Sequence, residues 1–106
     1  MALTRNYKET ILAELQSDPK FRKAAFEEAV TALLEGEQVE ALSMLRDLVH
    51  ATITFKRLAK ETGVPEKSLH RMLGPRGNPT MRNIGLILQA IREDLGFIPK
   101  VRVAAA

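Results

Sequence analysis

Apolar residues in the first half of the chain recur at three- and four-residue spacing, the period of an amphipathic helix. Tyr7, Ile11, Leu12 and Leu15 form the first stripe. Asp18-Pro19 then marks a boundary. Asp18 has the side chain to cap a helix start, and Pro19 suits the first helical position, where its missing N–H would be unpaired anyway. Phe21, Ala25, Phe26, Ala29, Val30, Leu33 and Leu34 repeat with the same period as far as Gly36, a helix stop. Val39, Leu42, Leu45, Leu48 and Val49 form a third stripe. Residues 1–52 are therefore expected to hold N-terminal helices.

Residues 54–74 read as two short helices around a turn, followed by the Gly/Pro-rich loop Gly74-Pro75-Arg76-Gly77-Asn78-Pro79. A closing helix is expected over 80–95, with Met81, Ile84, Ile87, Leu88, Ile91 and Leu95 turned inward. Asn78 or Thr80 would cap it and Gly96 would end it. Gly85 inside this helix costs about 1 kcal/mol against Ala, so close approach of a neighbouring helix is expected there. Strict alternation appears only at the end, where Val101 and Val103 alternate with Lys100 and Arg102. This predicts a short strand within 97–103. A lone strand leaves its backbone groups unpaired, so it is expected to pair with its counterpart in a dimer; a frayed terminus is the alternative. The expected fold class is all-α. A single domain over 1–103 would hold five to six helices, with an N-terminal helical extension and a short C-terminal strand. Residues 104–106 form a tail.

The chain has 106 residues, 45% apolar and 27% charged, which suits one globular domain with one core. With no cysteine, disulfides, thiolate metal sites and thiol nucleophiles are excluded. His50 and His70 stand 20 positions apart without a metal-ligand pairing, so no metal and no cofactor are expected. No Ser-His-Asp context and no phosphate-binding loop is present, and an enzyme is not expected. No apolar run approaches the ~18 residues of a membrane span. The start, MALTRNYKET, turns polar by the fourth residue and is unlike a signal peptide. A cytoplasmic protein with no membrane partner is expected.

The net charge of +3 becomes informative when divided. Residues 1–49 carry six cations and nine anions, a net of −3; residues 50–106 carry ten cations and four anions, a net of +6. A polyanion suits the second half and a basic protein suits the first. Two solvated faces with no electrostatic role are the plainer alternative.

Residues 54–73 give the basic half its form. Their sequence matches a helix-turn-helix position by position. Ala59 is small where a second helix crosses, Gly63 stands at the turn, and Val64 packs behind it. Leu58, Leu69 and Met72 close the space between the helices. The spacings from Ala59 to Gly63 and from Gly63 to Leu69 fit two helices at roughly 90–120°. On a helical wheel Leu69, Met72 and Leu73 share one side, and Lys67, His70 and Arg71 the other. Glu66 and Ser68 flank them in the first turn. Glu66, Lys67, Ser68, His70 and Arg71 are the candidate base contacts, because a recognition helix reads base edges in the major groove. Lys56, Arg57, Lys60, Arg76 and Arg82 are candidate phosphate contacts, joined by Asn78 and Thr80 at a helix start. Helical hairpins that bind no DNA share such patterns by chance.

The chain resembles the addiction-module antidote proteins, the HigA-like antitoxins of bacterial type II toxin–antitoxin operons. The resemblance runs from about Tyr7 to Val103. It is carried by Leu15-x-x-Asp18-Pro19, by Ala32-Leu33-Leu34-Glu35-Gly36-Glu37 and by Ala41-Leu42-x-x-Leu45-Arg46-Asp47. It continues through Leu58-Ala59-x-x-Thr62-Gly63-Val64, Ser68-Leu69-His70-Arg71-Met72-Leu73 and Gly77-Asn78-Pro79-Thr80. It implies a lambda-repressor/Cro-like helix-turn-helix domain and a homodimer that represses its own operon at a double-stranded operator. It also implies a partner, a basic RelE/HigB-like ribonuclease toxin. The sequence departs from the family at His70, where the family has Tyr, at Asn83, where it has Thr, and over 92–99, which is longer. A helical protein-interaction module, or a prophage regulator without a toxin partner, is the alternative.

Overall fold

A computed structural model describes residues 2–106, with side chains from Tyr7 onward. Among the described residues the chain is all-helical: α1 (Ala2–Ser17), α2 (Pro19–Leu34), α3 (Gln38–Ala51), α4 (Phe55–Thr62), α5 (Glu66–Met72) and α6 (Met81–Leu95). The local signals set most boundaries. Asp18 Oδ1 accepts from the backbone N–H groups of Lys20 at 3.0 Å and Phe21 at 3.3 Å, and Pro19 opens α2. Arg22 spans the same corner, donating to the carbonyls of Leu15 at 2.9 Å and Gln16 at 3.0 Å, so the last turn of α1 is satisfied by a side chain of α2. At the end of α2 the N–H of Glu37 reaches Ala32 O and that of Gly36 reaches Leu33 O. The end of α6 repeats this geometry, with Phe97 N–H on Arg92 O and Gly96 N–H on Glu93 O.

One hydrophobic core runs through both halves of the chain. Leu15 of α1, Ala29 of α2 and Leu42, Leu45, Leu48 and Val49 of α3 join Ile53, Phe55, Leu58, Leu69, Leu73, Ile87 and Ile91 in a single cluster. Helix α4 is therefore braced by α3 on one side and α6 on the other. No polar side chain is buried among the described residues. Lys8 of α1 pairs with Asp47 of α3 at 2.9 Å, and Phe97 packs on Phe26 of α2 with ring centroids 5.6 Å apart.

Several expectations are corrected. Met81 is the first residue of α6 and is 88% exposed, because the helix starts before it reaches the core; Ile84 makes the first contact. Leu34 and Val39 border the α2–α3 turn and are exposed, as is Tyr7 in the early turns of α1. Gly85 faces open space, with nothing within 4 Å of where a Cβ would stand, so no helix approaches it. The strand expected within 97–103 is not formed: the backbone there is irregular, and residues 98–106 are exposed. The expected pairing is with a second copy of the chain; within one chain these residues find no strand to pair with.

Candidate nucleic-acid interface

The site begins at the α3–α4 junction. Thr54 has φ 73° and ψ 152°, a region that β-branched residues avoid and that costs about 1–3 kcal/mol. It is held there from both sides. Its N–H donates to Val49 O at 2.7 Å, and its hydroxyl accepts from the N–H of Arg57 at 3.4 Å, capping α4. The result is a sharp corner that seats Phe55, the first residue of α4, in the core.

At the turn between α4 and α5, Gly63 has φ 75° and its N–H closes α4 on Ala59 O at 2.9 Å. A side chain at that φ would be strained, which is why glycine stands there. Val64 is half-buried against the core behind the turn, as expected. Leu69 is fully buried beneath α5, and Met72 is half-buried beside it. The loop after α5 packs on that helix: a Cβ at Gly77 would stand 1.9 Å from Met72 O. Gln38 Nε2 of α3 ties the same loop at Gly77 O and Asn78 Oδ1, both 3.4 Å away.

Of the candidate base contacts, Glu66, Lys67, His70 and Arg71 are exposed on α5, and Ser68 is half-buried at its flank. Lys67 and Arg71 make no ion pair among the described residues, nor do Lys56, Lys60, Arg76 and Arg82. Arg57 differs. It pairs with Asp94 of α6 and, at 3.9 Å, with Glu61, so its charge is engaged in joining α4 to α6. Thr80, not Asn78, caps α6: its hydroxyl accepts from Asn83 N–H at 3.1 Å, leaving the O–H as a donor. The N–H groups of Met81 and Arg82, in the first turn of α6, have no carbonyl partner within the helix. An anion placed there would find donors and the positive end of a helix dipole.

His70 is more constrained than the helical wheel implied. Its ring stacks on Phe55 at 3.9 Å with 17° between planes, and Nε2 lies 3.7 Å from a Glu66 carboxylate oxygen. His50, near the end of α3, meets the same phenylalanine edge-on at 4.8 Å. Burial first, then the charges of Arg46 and His70, hold the His50 pKa below the usual histidine value. Sequence reasoning missed Phe55 as the platform under His70 and Asp94 as the partner of Arg57. The four-residue spacing of Glu66 and His70 was the one available signal for this cluster.

The acidic half presents a different surface. A groove of about 410 Å³ between α2 and α3 is lined by Glu27, Glu28, Glu35 and Glu37 around Ala24, Thr31, Ala32 and Met44. No cluster of histidines and carboxylates able to hold a metal occurs among the described residues, and no described helix is long and apolar enough to cross a membrane. The chain matches no family model, no curated protein and no solved structure.

Proposed function

We propose that the chain is a sequence-specific DNA-binding protein with a lambda-repressor-like helix-turn-helix, acting as an antitoxin that represses its own operon as a dimer. One observation carries the reading. The cations of the α4–α5–α6 segment lack carboxylate partners, with Arg57 the exception, and they stand in the half of the chain that carries ten cations against four anions. Unpaired cations around an exposed helix are what a polyanion recruits. Arg71 and Lys67 have the donors to read guanine O6 and N7, and Glu66 can accept from a cytosine amino group. Lys56, Lys60, Arg76, Arg82 and the start of α6 supply phosphate contacts, which fix register without specifying sequence.

A mobility-shift titration against the duplex upstream of the chain's own reading frame tests this. About three phosphate contacts per protomer of a dimer give a log K against log salt slope near −5. Arg71→Ala is expected to lose about 1–3 kcal/mol and relax specificity at one base position. No binding at low salt sinks the reading.

A second role is favoured by the acidic groove. Its four glutamates and apolar floor suit a basic protein segment, which in an antitoxin is the ribonuclease partner. Co-purification of the chain with the product of the adjacent gene, lost on reversing Glu27 and Glu28 to Lys, is the expected result. A single free species in the presence of that product counts against it.

A further inference from the structure

The three-ring cluster of His50, Phe55 and His70 joins the end of α3, the start of α4 and the exposed side of α5. Phe55 is buried and fixed by the strained corner at Thr54, so it is the immobile member. Both imidazoles lie at the surface, where protons reach them. Their centroids are 6.0 Å apart. Histidine is the side chain that changes charge between about pH 5 and 8.

The charged neighbours divide the two rings. From α3, His50 faces Arg46 and Asp47, and from α1 it faces Lys8, itself bound to Asp47. Phe55 of α4 brings no charge. On α5, His70 has the Glu66 carboxylate one turn away, and Lys67 and Arg71 as exposed companions. A protonated His70 thus has a carboxylate partner and an aromatic face beneath it, and a cation over a phenylalanine face is attracted to it. A second proton on His50 would place two cations 6.0 Å apart, which disfavours double charging. Of the two rings, His70 is the one stacked face-on against Phe55, with a carboxylate one turn away on its own helix.

We propose that His70 both positions α5, through its stack on Phe55, and takes up one proton when a phosphate backbone is brought to that surface, so that affinity for duplex DNA rises as pH falls. The inference rests on the DNA-binding reading above. Duplex DNA carries one negative charge per roughly 1.7 Å, and a nearby anion favours the charged imidazole. By linkage, one proton taken up per protomer changes affinity by at most about tenfold per pH unit for each protomer, about a hundredfold for a dimer.

The test is fluorescence anisotropy with a labelled duplex from upstream of the reading frame, at constant ionic strength, from about pH 8 to about pH 5.5. Wild type is expected to bind more tightly as pH falls, approaching that limit. Its salt slope at the acid end should be steeper by up to about 0.9 per protomer, one additional cation held against the duplex. His70→Phe keeps a ring over Phe55 but is expected to lose both the pH dependence and the added salt slope. His50→Phe is expected to keep both. Equal thermal midpoints for wild type and H70F at the alkaline end establish that the fold is retained. Full pH dependence in H70F, or binding by wild type that does not vary with pH, overturns the inference and leaves the DNA-binding reading standing. Failure to bind duplex at any pH overturns that reading and the inference with it.

Discussion

The same chemical change, a hydrogen replaced by a methyl, is expected to act in opposite directions at Gly85 and Gly77. Gly85 lies inside α6, exposed, with nothing within 4 Å of an added Cβ. Gly85→Ala therefore adds no clash and removes the backbone entropy that glycine loses in a helix, a gain of about 1 kcal/mol. For a domain near 100 residues this raises the thermal midpoint by about 4 °C. At Gly77 the added Cβ would stand 1.9 Å from Met72 O and 3.0 Å from Gly74 O. Both obstacles are backbone atoms, so no side-chain rotation relieves the overlap. The loop must lift from the end of α5, releasing the Gln38 contacts at Gly77 O and Asn78 Oδ1. Overpacking of this kind costs about 1–3 kcal/mol, and Gly77→Ala belongs at the upper end because the obstruction is main chain. Thermal unfolding followed by circular dichroism reads both variants under one condition. Destabilisation by G85A refutes the reasoning, since it requires a packed neighbour at a position found open. A G77A midpoint equal to wild type refutes the close approach of the loop to α5.

Leu69→Ala removes a fully buried side chain between α5 and the core and should cost about 2–5 kcal/mol, read as a fall in the denaturant midpoint. Asp94→Asn removes one of the two anions that engage Arg57, the other being Glu61; on the DNA-binding reading, affinity should rise and the salt slope steepen, by up to about 0.9 per protomer if Arg57 then reaches a phosphate. The lowered pKa of His50 means the unfolded chain binds more protons than the folded chain on the acid side of the ordinary histidine value of 6.5. Its contribution is complete above that value and is lost as pH falls through the lower folded value. His50→Phe should flatten this part of the stability–pH curve, and an unchanged curve counts against the assignment.

Helix boundaries were legible because their causes are local. The Asp18 cap, Pro19 in the first turn, the Gly36 and Gly96 stops and the Gly63 turn each act within about five residues, and each stands where the pattern placed it. The failures share the opposite character. Met81 continues the apolar stripe of α6, but a stripe does not say how far along it the core extends. Gly85 invited a packing explanation, yet a glycine in a helix has the same sequence signature whether crowded or open. The alternation of 100–103 is a strand signal that needs a partner the rest of the chain does not provide. At the site, exposure of the basic residues was readable from the wheel, whereas the pairing of Arg57 and the seat of His70 depend on α6 and α4, which sequence spacing alone does not bring near.

The pairing of Arg57 separates residues that a charge count makes equal. Charge counting treats Arg57 and Arg71 as equal members of a basic half. The fold separates them: Arg57 helps fasten α4 to α6, and Arg71 extends from α5 without an ion-pair partner. The shared core couples this arrangement to the acidic half, because Leu45, Leu48 and Val49 of α3 lie in the same cluster as Leu58 of α4 and Leu69 of α5. The α2–α3 groove is built partly on α3, at its cap Glu37 and its midpoint Met44. A basic partner seated there would press on the helix whose far end carries His50 and the strained corner at Thr54. Any tilt of α3 would be passed to Phe55 and to the ring that seats α5. Rigid coupling of this kind predicts that occupancy of the groove and affinity for DNA change together, by the same factor in both directions. Measuring DNA affinity with and without the partner, and partner affinity with and without duplex, checks the equality. Independent affinities would show that the two charged halves share a core without sharing a state.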